Sequence, residues 1–189
     1  QKCRIQIITK SDLVVRDSDL LKKVPSVVSF SITTDDDALS RLIEPEAPVS
    51  SKRLKAAEQL TRSGIPVAVR IDPIIPFVND DCENLVKILA SIGVLHITSS
   101  TYKVKADSWF RFTRALPTTA EKLKPLYFGR GEKVGRYTYL PKDVRLGLMS
   151  KVANLAARYS MKFGVCREGF SHLNTSICDG SWLINRHRV

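Results

Sequence analysis

From Val28 to Pro76 the chain reads VSFSITTDDDALSRLIEPEAPVSSKRLKAAEQLTRSGIPVAVRIDPIIP: a strand with a polar end, an amphipathic helix, and a second strand with a polar end. This stretch constrains the fold most, because strands joined through a helix pair in parallel.

Side chains alternate across a strand, so Ser29, Ser31 and Thr33 share one face while Val28, Phe30 and Ile32 share the other. In the next strand Ala68, Arg70 and Asp72 oppose Val67, Val69 and Ile71. A parallel strand covered on both sides reads as nearly continuous apolar sequence. These two do not, so one face of each is expected to meet something polar. Ser29 alone fits a hydroxyl tolerated near a strand end. Arg70 needs a carboxylate or a ligand, and Asp72, Glu44 and a bound ligand are all open partners.

The plan repeats along the first hundred residues. A strand Arg4 to Thr9 leads to Ser11 or Asp12 as the cap of a helix carrying Leu13, Val14, Leu20 and Leu21. Pro25 ends that helix before a strand Val27 to Thr33. After Asp35, Asp36 and Asp37, a short helix reaches Ile43 and is broken by Glu44, Pro45 and Pro48. Ser50 or Ser51 caps the next helix, Gly64 stops it, and a strand Val67 to Ile71 follows. Asn79 or Asp80 caps a helix Cys82 to Ile92, and Val94 to Thr98 is a fourth strand. Strands and helices alternating in this way predict right-handed parallel crossovers. Beyond residue 100 the pattern predicts helices over Asp107 to Leu116, Thr119 to Tyr127 and Pro141 to Tyr159, a basic glycine-rich surface loop from Phe128 to Tyr139, and a short strand Lys162 to Cys166. The expectation is an α/β chain in which residues 1–100 form a barrel-type part and residues 101–189 a mostly helical extension packed on it.

At 189 residues, 43% of them hydrophobic, the chain can bury one good core. No apolar run approaches the roughly 18 residues that a membrane span needs. Gln1 begins neither a signal peptide nor a natural start, so the chain is expected to be part of a longer, cytoplasmic protein. Its net charge of +11 asks for an anionic partner. Between Tyr102 and Arg158 the cations interleave with Trp109, Phe110, Phe112, Tyr127, Phe128, Tyr137 and Tyr139. That mixture suits nucleic acid, and equally suits amphipathic helices with solvated outer faces. Cys3, Cys82, Cys166 and Cys178 form no Cys-x-x-Cys pair, so reduced thiols are expected. Cys166 and Cys178 flank His172 at a spacing that matches no standard zinc pattern.

In a parallel barrel the ligand groups come from the carboxyl ends of the strands. Those ends offer Lys10, then Ser31 with Thr33 and Thr34, then Arg70 with Asp72, then His96 with Thr98. Such a rim supplies cations for a carboxylate or phosphate, hydroxyls, and one imidazole. No nucleophile elbow accompanies it.

The runs ITKSDLVVRDSDLL and SFSITTDDDALSRLIEPEAPVSSKRLKAAEQLTRSGIPVAVRIDPIIPFVND resemble the radical S-adenosylmethionine (radical SAM) superfamily, in the branch related to spore photoproduct lyase and called DNA repair photolyase-like. The resemblance covers residues 5–100, and the tail CREGFSHLNTSICDGS also looks like members of that group. It implies a partial (β/α)6 barrel, here the third to sixth strands. It also implies a [4Fe-4S] cluster, S-adenosylmethionine, and reductive cleavage to a 5′-deoxyadenosyl radical that abstracts a substrate hydrogen. On the same grounds Lys10 and Ser31 take the methionine carboxylate, Arg70 assists, and Ile71 and Pro73 lie near the adenine. An electron donor is implied as a partner, and the substrate is left open, with DNA or RNA both allowed.

The resemblance has one severe departure. The Cys-x-x-x-Cys-x-x-Cys motif of the family is absent from this sequence, as is the glycine-rich contact of the second strand. The cluster ligands are therefore expected upstream of Gln1, in roughly another third of the protein's length, and the piece is expected to be inactive alone. Two other readings stand beside the enzyme: a basic, non-redox, barrel-like module that binds nucleic acid, and a TIM-barrel lyase or aldolase with Lys10 as a Schiff base, which nothing in the sequence activates.

Overall fold

The computed structural model describes residues 3–186; Gln1 lies outside them. In chain order the strands are β1 (Ile5–Thr9), β2 (Ser26–Ser31), β3 (Val67–Ile74), β4 (His96–Thr101), the short pair β5 (Glu132–Val134) and β6 (Tyr137–Tyr139), and β7 (Lys162–Val165). The helices are α1 (Ser18–Leu21), α2 (Asp37–Ile43), α3 (Ser50–Arg62), α4 (Glu83–Ser91), α5 (Ala106–Ala115), α6 (Pro117–Lys124) and α7 (Lys142–Arg158). Five strands form one parallel sheet in the order β1-β2-β3-β4-β7, so each new strand is added to the same edge.

The helices α3, α4 and α7 cover one face of this sheet. Val28, Phe30, Ile32, Val67, Val69, Ile71, Ile97 and Phe163 meet Ala57, Leu60, Leu85, Leu89, Met149 and Val152 in one buried cluster. Burying each large member contributes about 1.5–3 kcal/mol. The opposite face carries the polar phase predicted from the sequence, and its lower half is closed by the C-terminal segment: Val27 and Ala68 pack on Leu183, Ile184 and Trp182. A second cluster, with Ile75, Val104, Phe112, Leu123, Tyr127 and Leu140, roots α5 and α6 beside the strand ends.

Several local expectations differ. The first predicted helix is a 3-10 turn, Asp12–Asp17, followed by the single turn α1; Ser11 does cap it, its Oγ accepting from the Leu13 amide. The cap of α3 is Val49, and Ser51 instead bonds Asp37, whose carboxylate accepts from the Ser51 amide at 2.8 Å and its hydroxyl at 2.6 Å. β4 starts at His96 and runs to Thr101, later than predicted, because the Val94 amide is spent closing the end of α4 on Leu89 O, after Gly93 at φ 88°. The glycine-rich basic stretch is a hairpin, β5-β6, turning at Gly135 with φ 58°.

Candidate functional site

The register assembles the polar face in rows. Ser31 pairs with Arg70, Arg70 with Thr98, and Thr98 with Gly164, while Lys10 follows directly on β1. At the carboxyl ends these rows open into a cleft of about 1080 Å³ whose walls include Lys10, Thr33, Glu44, Pro73, Tyr102 and Arg111. A second cavity of about 400 Å³ adjoins it through Pro73 and is lined by Arg70, Asp72, Lys103 and Cys166.

The cleft is held open by side chains that bond main chain. Asn79 caps no helix; its Oδ1 accepts from the Ile75 amide at 2.7 Å, and its Nδ2 donates to Thr33 O at 2.8 Å and Pro73 O at 3.0 Å. One buried amide thereby ties the end of β2 to the loop after β3. The Thr33 hydroxyl, buried on the cleft wall, has no hydrogen-bond partner. Lys10 Nζ lies 2.9 Å from Glu44 Oε1, and the other Glu44 oxygen lies 2.6 Å from Arg53 Nη1.

Arg70 takes Asp72 and not Glu44, at 2.6 Å. Burial works against its charge, but the Cys166 thiol and the Asp72 carboxylate outweigh burial and raise its pKa. Thus Lys10 and Pro73 share the large cleft, Arg70 and Pro73 the smaller cavity, and Ser31 lies between Lys10 and Arg70. The Ile71 side chain points the other way, into the helix-packed core, while its carbonyl accepts from Ser99 Oγ at 2.8 Å.

His96 is not at the rim. The later start of β4 puts it at the opposite end of the sheet, under the C-terminal segment, where Trp182 Nε1 donates to its Nδ1 at 3.1 Å and Cys178 O lies 3.3 Å from its Nε2. Burial pushes its pKa down to about 4. Ser100 and Thr101 occupy the strand end instead. Sequence reasoning missed Arg53 as a site residue; the signal was its place in the buried phase Ser50, Arg53, Ala57, Leu60 of an otherwise charged helix.

Among the described residues no group of His, Cys, Asp and Glu is arranged to hold a metal ion. Cys3 is exposed, Cys82 is buried in the core, and Cys166 and Cys178 are half-buried and are not grouped with His172. The residues present do not fit an iron–sulfur cluster, which needs a convergent set of thiolates. Lys10 and Thr33 both line the cleft, a cation paired with Glu44 and a residue whose buried hydroxyl has no partner among the described residues.

No family model matches the chain. It is 42% identical over 77 residues to the uncharacterized protein MJ0683 of Methanocaldococcus jannaschii, a match covering 40% of this chain and 30% of that protein. It is 35% identical over 96 residues to the uncharacterized protein ORF301 of Acidianus two-tailed virus, covering 47% of this chain and 32% of that one. Among solved structures it is similar to spore photoproduct lyase with bound AdoMet and dinucleoside spore photoproduct, at TM-score 0.59 and 18% identity over 82% of this chain and 47% of that one. A single-residue variant of the same lyase gives TM-score 0.63 at 17% identity over 86% of this chain and 50% of the other. The chain thus spans about half the length of the lyase structures and matches about a third of each curated relative. Its five-stranded parallel α/β fold is similar to that of spore photoproduct lyase.

Proposed function

We propose that the chain is the S-adenosylmethionine-binding part of a radical SAM enzyme of the spore photoproduct lyase kind, its strands belonging to a partial (β/α)6 barrel. In this reading residues 1–100 supply the first four strands of the barrel part, β7 adds a fifth, and the rest of residues 101–189 is its extension. The observation that carries it is the Thr33 hydroxyl, buried and unpaired on the wall of a cleft that Lys10 also lines. An unpaired buried hydroxyl costs about 1–3 kcal/mol, a cost that a bound ligand relieves. The likeness to a lyase solved with AdoMet supports the choice of ligand.

When bound and reduced through an iron–sulfur cluster, S-adenosylmethionine supplies hydrogen-abstracting chemistry. The thiolates for that cluster do not come from the described residues. What this chain contributes is binding. Lys10 and the Ser31 hydroxyl take the methionine carboxylate, with Arg70 in support; Thr33 adds a hydrogen bond; Pro73 flanks the adenine, and Ile71 contributes through its main chain alone.

A nucleic-acid substrate is supported by the net charge of +11 and by the lyase structures holding a dinucleoside lesion. A basic, non-redox nucleic-acid-binding module is the second reading, favoured by exposed Phe110 and Phe128 and by Arg114 lying 5.7 Å from the Phe110 ring. Calorimetric titration separates the two. Saturable S-adenosylmethionine binding that weakens about tenfold or more in Lys10→Met supports the enzyme. Salt-sensitive oligonucleotide binding without any S-adenosylmethionine binding supports the module.

A further inference from the structure

Lys10 is already paired. One carboxylate, Glu44, serves two cations, with Lys10 Nζ at 2.9 Å and Arg53 Nη1 at 2.6 Å. The three side chains differ sharply in exposure: Arg53 is 0% exposed, Glu44 7% and Lys10 49%. Arg53 is also built into the fold, since Nη1 donates to Ser31 O at 2.7 Å and Nη2 to Ser40 Oγ at 2.7 Å. A cation without access to water cannot release its counter-ion except at large cost. Arg53 therefore keeps its hold on Glu44, and Lys10 is the cation in surplus, facing the cleft.

We propose that Arg53, acting through Glu44, is a positioning residue that leaves Lys10 available to an anionic ligand and so selects ligands bearing a carboxylate at that end of the cleft. This rests on the reading of the cleft as an S-adenosylmethionine site. Arg53 does not touch the ligand. Its effect is to neutralise Glu44 from behind. Without it Glu44 has only Lys10 as a partner, the two close into a neutral pair, and an incoming carboxylate meets no free cation. Removing the Glu44 charge as well frees Lys10 again. A purely architectural Arg53, gluing α3 to β2, predicts the reverse, because the double variant then has lost more contacts than the single one.

The experiment is a calorimetric titration of the whole chain, of Arg53→Met and of Arg53→Met/Glu44→Gln. The ligands are S-adenosylmethionine and 5′-methylthioadenosine, which keeps the nucleoside and lacks the amino-acid end. Arg53→Met is expected to weaken S-adenosylmethionine about tenfold or more while changing methylthioadenosine less than about twofold, and the double variant to recover most of the loss. Equal losses for both ligands, or no recovery in the double variant, would overturn the proposal. The double variant leaves no unpaired buried charge, so it remains decisive if Arg53→Met alone does not fold: near-native affinity supports the proposal, and a tenfold-scale loss overturns it. A second readout needs no ligand. The acetylation rate of Lys10, followed by mass spectrometry, is expected to fall about threefold or more in Arg53→Met and to return in the double variant; identical rates in all three proteins contradict the charge argument. If the unaltered chain binds neither ligand, the reading of the cleft is what fails, and the labelling rates still decide the role of Arg53.

Discussion

The two ends of the same parallel sheet differ in how their polar groups are satisfied. At the amino end the C-terminal segment covers the sheet, where Trp182 bonds His96 and Gln6 Nε2 donates to Asp179 O at 2.8 Å, and it reaches as far as the row of Arg70, where Thr98 Oγ1 donates to Cys178 O at 2.7 Å. At the carboxyl end a buried hydroxyl is unpaired and a lysine faces a cleft. The lesson is that one face of one sheet is covered at one end by its own chain, which leaves only the Ser29 hydroxyl there without a partner among the described residues, and borders a cleft at the other. Changes at the first end should be read in stability, and changes at the second in binding.

The largest effect is expected at Gly164, where an added Cβ would come 2.4 Å from Cys178 Cα. Backbone cannot yield as a side-chain tip does, so Gly164→Ala is expected to lose about 3 kcal/mol in urea unfolding; a loss below about 1 kcal/mol would break the account of a sheet face closed by the C-terminal segment.

Next is the pH dependence set by His96. The fold holds its imidazole neutral, with the pKa lowered to about 4 by burial, whereas the unfolded chain takes up the proton near pH 6.5. The stabilisation is fully present above about pH 6.5 and is lost as pH falls toward 4, by about 3 kcal/mol in all. Urea midpoints measured from pH 7 to pH 4 should fall in the native protein and fall less in His96→Gln. Parallel curves would remove His96 as the cause.

The smallest effect sharpens the comparison most. Thr33→Val replaces an unpaired buried hydroxyl by a methyl group, so stability should rise by up to about 1 kcal/mol while S-adenosylmethionine affinity falls several-fold. Thermal unfolding and calorimetry on the same sample check both signs. A loss of stability would mean that Thr33 already has a partner in the folded chain.

Much of this was legible in the sequence. The alternation of Ser29, Ser31 and Thr33 against Val28, Phe30 and Ile32 predicts a strand with one apolar face toward helices, and the structure has it so. Strand order also predicts that Ser31 and Arg70 sit side by side, and the register pairs them, with Lys10 directly after β1. His96 went to the wrong end because strand limits depend on where the preceding helix spends its last amides, and Val94 looks the same in either use. Asn79 and Arg53 were missed for a related reason. Both act through tertiary bonds to main chain at or just beyond the end of β2, from 46 and 22 residues away, and no local pattern encodes such a partner. The C-terminal closure was equally hidden, since Ala68 and His96 fill the space that a side chain at Gly180 would need only once the sheet has formed.

The most direct measurement of the central claim is a crystal structure of this chain with S-adenosylmethionine. The account predicts the ligand in the strand-end cleft, with its carboxylate on Lys10 Nζ, the Thr33 hydroxyl hydrogen-bonded to it, and the amino end of the sheet unchanged. Ligand density confined to the Arg70–Cys166 cavity or to the outer surface, with Lys10 and Thr33 untouched, would contradict it.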